Sequence, residues 1–229
     1  MRKGKKKNVK ILFAGLLTIT AFVLWTVLVR IVDYKPVGVN GSSVGFSTFN
    51  TFVHESIGVH MTLYDITDWL SLVPIIFVLA FAVLGLFQLI KRKSIKKVDS
   101  DILLLGGFYV VVIACFLFFE KCVINYRPVL INGVLEASYP SSTTLLVMCI
   151  MPTAMIVLNS RIKSRVLNSI VSYTCVVFTA FMVVARLVSG VHWASDIIGG
   201  ILFSTGLVLI FYILTEMTKA ENLIRDDIS

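Results

Sequence analysis

Six stretches of this chain are long enough and apolar enough to cross a bilayer, and they restrict the fold more than any other feature. They run at about Val9–Val32, Leu70–Ile90, Ile102–Phe119, Ser142–Leu158, Val166–Ala185 and Ile197–Thr215. Each holds roughly 17–24 residues, enough for a helix to cover a hydrocarbon core of about 30 Å. Within that core no water can satisfy a backbone N–H or C=O, so the segments are expected to be helices. The fold class that follows is all-α, an integral membrane bundle of six transmembrane helices forming one domain over residues 1–229. The fourth stretch is strictly apolar only from Leu145 and contains Pro152. Spanning helices tolerate proline, so the span stands, with a kink expected there.

Hydrophobic residues make up 57% of the chain and charged residues 15%, and the mean hydropathy is +0.91, well outside soluble averages. Six spans place both termini on one side, with the connections after spans two and four. That side carries Arg2, Lys3, Lys5, Lys6, Lys7, Lys10, Lys91, Arg92, Lys93, Lys96, Lys97, Arg161, Lys163, Arg165, Lys219 and Arg225, which are 16 of the 21 basic residues. The positive-inside rule assigns it to the cytoplasm. The opposite face keeps Arg30, Lys35, Lys121, Arg127 and Arg186. The net charge of +8 is thus mainly topological, with some attraction to anionic lipids of the inner leaflet. No basic stripe lies on a soluble domain, so a nucleic-acid partner is not expected. The first span is too long for a cleaved signal peptide and lacks a small-residue cleavage site after it, so it reads as a retained helix. Cys115, Cys122, Cys149 and Cys175 show no paired spacing, and a reduced packing role is expected.

The longest connection, Asp33–Asp68, opens with Pro36, Gly38, Asn40 and Gly41. It continues through Phe46, Phe49, Val53 and Ile57, one face of a helix, so a short interfacial helix is expected in this outer loop. Trp69 stands where an interfacial aromatic anchor belongs. A hydrophobic cap on the bundle and a gate for lipid both fit this loop. His54 and His60 lie in it with no partner motif, and a surface role is expected for them.

Polar chemistry is concentrated in three outer segments. Arg186-Leu187-Val188-Ser189-Gly190-Val191-His192-Trp193-Ala194-Ser195-Asp196 sets an arginine, a histidine and an aspartate at the mouth of two spans. A carboxylate one helical turn after a histidine can orient the ring and raise its basicity, as a nucleophile requires. The arginine supplies a permanently charged fork for phosphate. Ionisable residues beside spans are costly and usually functional. The second segment is Lys121-Cys122-Val123-Ile124-Asn125-Tyr126-Arg127-Pro128, and the third is Tyr139-Pro140-Ser141-Ser142-Thr143-Thr144. A helix that starts on Pro-Ser-Ser leaves backbone N–H groups free for an anion. Gly190, Gly199 and Gly200 read as packing or turn residues.

In order, these segments resemble the signature of the type 2 phosphatidic acid phosphatases, membrane enzymes that dephosphorylate lipids: Lys-x6-Arg-Pro, then Pro-Ser-x-His, then Arg-x5-His-x3-Asp. The third motif is matched by Arg186, His192 and Asp196, with Ala185 where serine is usual. The first is matched at Arg127-Pro128, with Lys121 one residue nearer the arginine than the usual gap. The second reads Pro140-Ser141-Ser142-Thr143, with threonine in the histidine position. Through its motifs the resemblance covers about residues 100–215. It implies that His192 attacks phosphorus to form a phosphohistidine while Asp196 holds the other ring nitrogen. Arg127, Arg186 and Lys121 would neutralise the phosphoryl oxygens, and Ser141 with the backbone at Ser142 would add hydrogen bonds. That mechanism needs no metal or other cofactor, and the sequence offers no cluster to hold a metal. The implied partners are the bilayer and a lipid phosphate or diphosphate. Bacterial relatives act on undecaprenyl diphosphate, phosphatidylglycerol phosphate or phosphatidate, and an outward site favours the first. A catalytically silent lipid-phosphate binder or transporter on the same scaffold is the alternative.

Thr143 bears on that alternative. The family's histidine protonates the departing oxygen, a contribution of about 10²–10⁴ in rate, and a threonine hydroxyl cannot replace it. Three origins are open: an introduced substitution that quiets the enzyme, which the intact flanking residues favour; natural loss of hydrolysis; or a substrate with a good leaving group. Slow turnover is expected. The Thr143→His variant should release phosphate about 10²-fold faster or more, measured on one lipid phosphate at matched protein concentration; equal rates would refute the reading.

Overall fold

The computed structural model describes residues 2–228, with side chains placed over residues 7–222. The side chains of Arg2, Lys3, Lys5, Lys6 and Arg225, counted above on the basic side, lie outside the described residues. Among the described residues there are eight α-helices: α1 (Arg2–Ile31), α2 (Ser47–Ile57), α3 (Met61–Leu70), α4 (Leu72–Arg92), α5 (Ser100–Lys121), α6 (Ser142–Asn159), α7 (Arg165–Val188) and α8 (Ala194–Ile228). No strand occurs among them, only three isolated β-bridges. Six helical segments are long and apolar enough to span a membrane, α3 and α4 counting together as one. The all-α, six-span architecture expected from hydropathy is the one observed.

The fourth span has the lowest hydropathy for a structural reason. α6 is the most enclosed span of the six, whereas α1 and the α3–α4 span are the least enclosed. A helix surrounded by other helices need not be as apolar as one that faces lipid all round. Leu145, Val147, Cys149, Ile150, Met151, Ala154 and Val157 of α6 are all buried. They pack against Leu105 and Tyr109 of α5, Cys175 and Met182 of α7, and Phe203 and Phe211 of α8. α6 continues through Pro152 as one helix.

α1 packs along α8 in the opposite sense. Gly15 and Gly206 meet at their crossing: a Cβ on Gly206 would stand 3.2 Å from the Gly15 carbonyl oxygen, and one on Gly15 would stand 3.2 Å from Leu209 Cβ. Further along the pair, Trp25 Nε1 donates to the Ser195 carbonyl at 3.0 Å. Asn222 of α8 in turn bonds Ser100 at the start of α5, 2.8 Å away. The chain termini therefore share one end of the bundle with the α4–α5 connection. At that end Arg161 bridges Asp99 and Asp101, and Arg92 also pairs with Asp99. The ends of α5 and α7 and the starts of α6 and α8 gather at the opposite end.

The stretch between α1 and α4 holds two helices where one was expected. α2 ends at Gly58, whose φ of 77° breaks it, and α3 leads into α4 through Ser71. The α2–α3 turn is pinned to the turn that follows α7 by close backbone approach. Gly190 has φ 70°, and a Cβ there would lie 2.0 Å from the Gly58 carbonyl oxygen. His60 N donates to the Ser189 carbonyl at 3.0 Å. Asn50 of α2 exchanges hydrogen bonds with Ser195, accepting from its N–H at 3.1 Å and donating to its Oγ at 2.9 Å. Trp69 is 75% exposed, as an interfacial anchor should be. His54 departs from its expected surface role, being half-buried against the Trp193 ring at 5.4 Å. The four cysteines are free, Cys149 and Cys175 buried within spans.

Gly199 and Gly200 of α8 prove to be packing residues. A Cβ on Gly199 would fall 2.6 Å from the ring of Tyr139, and one on Gly200 3.0 Å from Thr144. The Tyr139 ring is buried against Phe22, Phe119 and Phe203, and its hydroxyl bonds Thr26 at 2.7 Å. It has nowhere to retreat. Gly199→Ala should therefore lower stability by about 1–3 kcal/mol, the usual cost of overpacking. Gly106→Ala, where a Cβ meets nothing within 4 Å, should leave stability unchanged; thermal unfolding of the detergent-solubilised variants compares the two.

Candidate active site

The segment between α5 and α6 folds back on itself. Asn132 and Gly133 both have positive φ, 51° and 78°, and Ile131 and Val134 bond each other across them, as a tight hairpin turn demands. The two arms then pair: Arg127 N donates to the Glu136 carbonyl at 3.1 Å, Ser138 N donates to the Asn125 carbonyl at 2.9 Å, and Tyr126 bridges Ala137. Alternation along extended backbone puts Asn125, Arg127, Glu136 and Ser138 on one face. That face is turned toward the first turn of α8.

Asp196 lies in that first turn, fully buried, where the positive end of the helix dipole favours an anion. Four donors converge on its carboxylate. Ser138 Oγ (2.6 Å) and Trp193 N (3.1 Å) reach Oδ2, while Asn125 Nδ2 (2.9 Å) and Ser195 Oγ (3.4 Å) reach Oδ1. Ser141 N, which precedes α6, bonds the Asp196 carbonyl at 3.1 Å. One residue thus fastens the hairpin, α6 and α8 together.

His192 is buried next to this hub. Its Nδ1 lies 3.0 Å from Ser138 Oγ. The sequence suggested direct contact with Asp196; instead the ring reaches that carboxylate through Ser138, because the hydroxyl occupies the space between them. Nε2 is buried with no hydrogen-bond partner among the described residues. Arg127 and Arg186 act on the imidazole from nearby, and both guanidiniums lie against the ring of Tyr64, at 5.7 and 4.7 Å.

The two arginines are buried and only partly paired. Arg186 donates through Nη2 to Asp68 Oδ1 (3.0 Å) and Thr143 Oγ1 (2.7 Å), and through Nη1 to the Tyr64 carbonyl (3.4 Å). Arg127 Nη2 pairs with Glu136 at 3.1 Å. Arg127 Nε and Nη1 and Arg186 Nε are buried without a protein acceptor among the described residues. Buried guanidinium donors left unpaired are costly, and three of them beside an unpaired imidazole nitrogen make a site suited to a tetrahedral oxyanion.

The structure brings most of the residues suggested by the sequence together: His192, Asp196, Arg127, Arg186, Thr143 and Ser141. Ser141 is buried, and its Oγ caps α6 by accepting from Thr144 N at 3.5 Å and Thr144 Oγ1 at 3.1 Å. Ser142 is half-buried and lines a small cleft with Ser138 and Glu120. Lys121 is a correction: it is exposed on the last turn of α5 and makes no hydrogen bond or ion pair to the site among the described residues. Where the usual gap would place a lysine, this chain has Glu120. Sequence reasoning did not single out Ser138, Glu136, Tyr64 or Asp68, and gave Asn125 no role. Ile131-Asn132-Gly133-Val134 was a readable hairpin signal that would have aligned Asn125 with Ser138. Nothing local marked Tyr64 or Asp68, which α3 delivers from far along the chain.

Residues 120–219 match the PAP2 superfamily. The chain's fold is that of a membrane-embedded phosphatase of this type. The crystal structure of a transmembrane PAP2-type phosphatidylglycerolphosphate phosphatase from Bacillus subtilis superposes with a TM-score of 0.62 at 16% identity, over 90% of this chain and 96% of that one. No curated protein sequence matches the chain.

Burial holds the His192 imidazole well below its ordinary pKa, and the positive charges of Arg127 and Arg186 push it the same way. The folded protein therefore keeps this ring neutral at a pH where the unfolded chain takes up a proton. Its contribution to stability is present above about pH 6.5 and declines as pH falls below that value. The NMR titration midpoint of His192 should lie below about 6.5, and Arg127→Gln should raise it; a midpoint unmoved by that substitution would contradict the assigned electrostatics.

Proposed function

We propose that this protein hydrolyses a lipid phosphate or diphosphate through a phosphohistidine on His192. The observation that carries the reading is the buried, unpartnered Nε2 of His192 near three unpaired guanidinium nitrogens of Arg127 and Arg186. In this scheme the arginines bind the phosphoryl oxygens and gain strength as charge builds on them in the transition state. Nε2 attacks phosphorus, the ester or anhydride oxygen departs, and water then releases phosphate from the imidazole.

Sidedness follows from charge. The end of the bundle that holds the termini carries most of the basic residues and is assigned to the cytoplasm. The site then faces outward, in the outer leaflet of the cell membrane. A substrate tail stays in the bilayer while its head group reaches the cluster at the helix ends.

Thr143 points to the substrate. Its hydroxyl accepts from Arg186 and offers no useful acid to a leaving alkoxide. A diphosphate departs as a phosphate monoester anion, which needs far less help from an acid. Lipid diphosphates are therefore preferred over monophosphates, with undecaprenyl diphosphate ranked first and phosphatidylglycerol phosphate and phosphatidate behind it. The same residue favours a second reading, a silent binder that keeps Arg127 and Arg186 for lipid phosphate but forms no covalent intermediate.

A panel of lipid mono- and diphosphates, assayed for phosphate release by the purified protein and its His192→Ala variant, separates these readings. Hydrolysis should favour the diphosphate by at least about 10-fold and vanish in the variant. Binding without release in both proteins would establish the silent binder, and equal release by both would remove His192 from the reaction.

A further inference from the structure

We propose that Ser138 is a positioning residue, which couples Asp196 to His192 and fixes the tautomer that leaves Nε2 free to attack. The inference rests on the phosphohistidine reading above for its catalytic consequence, but its structural part stands on proton bookkeeping at three atoms. The Asp196 carboxylate receives Ser138 Oγ, Asn125 Nδ2, Trp193 N and Ser195 Oγ. Such a set suits the ionised form, which can only accept. A serine hydroxyl has one proton. The shorter of its two contacts, 2.6 Å to Asp196 Oδ2, has the length of an O–H···O⁻ bond and takes that proton. The other contact, 3.0 Å to His192 Nδ1, must then have nitrogen as the donor. With Nδ1 protonated in a neutral ring, Nε2 carries the lone pair.

Nothing else among the described residues sets the ring. Nε2 has no partner, and Asp196 does not reach Nδ1 directly. Ser138 is itself held at both ends: its N–H bonds Asn125, and Tyr139 after it is locked by the aromatic cluster and Thr26. When Nε2 bonds to phosphorus, the bond from phosphorus to the leaving oxygen breaks and that oxygen departs with its electron pair. The imidazole becomes cationic while Nδ1 keeps its proton. Ser138 Oγ then faces a stronger donor, and its own O–H passes the stabilisation on to the carboxylate. The phosphoryl group ends on Nε2, and the return reaction with water restores the same tautomer.

The test begins on the unsubstituted full-length protein in lipid nanodiscs, where the three histidines make ¹⁵N NMR of the imidazoles tractable. His192 should show a protonated Nδ1 and an unprotonated Nε2; the reverse tautomer overturns the proposal without any variant being made. Ser138→Ala should then mix the two tautomers and lower kcat by about 10²- to 10⁴-fold, the range a wrongly set tautomer costs, with KM changed less than about 3-fold. Ser138→Thr, which keeps the hydroxyl, should restore most of kcat. An alanine variant that folds, keeps the Nδ1-protonated tautomer and keeps kcat refutes the role. His192→Ala run alongside separates the two layers. If it still hydrolyses lipid phosphate, the phosphohistidine reading fails, while the NMR result decides the hydrogen-bond relay on its own.

Discussion

The buried carboxylate of Asp196 is the interaction on which the rest of the site depends. A charge removed from water must be repaid in hydrogen bonds, and here the donors come from three parts of the chain. Ser138 and Asn125 reach it from the hairpin, and Trp193 and Ser195 from the turn that begins α8. The backbone of the same residue receives Ser141 at the entrance to α6. Satisfying one anion therefore sets the relative positions of the hairpin, α6 and α8 around His192. The arrangement is rigid because each donor is buried and has no competing solvent.

The two arginines raise the opposite problem. Like charges brought near one another in a poorly hydrated place repel, and this protein offsets the repulsion with carboxylates and an aromatic face. Asp68 holds Arg186, Glu136 holds Arg127, and the Tyr64 ring lies against both. Cation–π contact is favoured where water is scarce. Both carboxylates sit toward solvent, each more than a third exposed. A dianionic phosphoryl group has more charge to offer the forks than either of them. α3 is thus part of the site, because it delivers Tyr64 and Asp68 to it.

The spans were legible in the sequence because the bilayer imposes length and hydropathy on any segment that crosses it. His192, Asp196, Arg127 and Arg186 were legible because costly charges stood next to apolar runs. Ser138 was not, since a serine in a loop of serines carries no signal until the pairing of 125 with 138 is known. Lys121 misled because chain position alone cannot say which way the last turn of a helix faces. One residue of rotation on an α-helix is about 100°, enough to send it outward while Glu120 lines the cleft. α3 was missed as a separate helix because its apolar residues run on into α4, and only the turn at Gly58, packed against Gly190, shows where it parts from α2.

The enclosure of α6 has a consequence for how the protein is made. A segment this modest in hydropathy partitions weakly into lipid by itself, so its place in the bilayer is secured by neighbours that are synthesised both before and after it. A nascent chain halted ahead of α8 would leave Asn125, Ser138 and the Ser141 N–H without the Asp196 oxygens that accept from them. The polar pocket therefore closes late, only once α8 has been laid against the helices made before it.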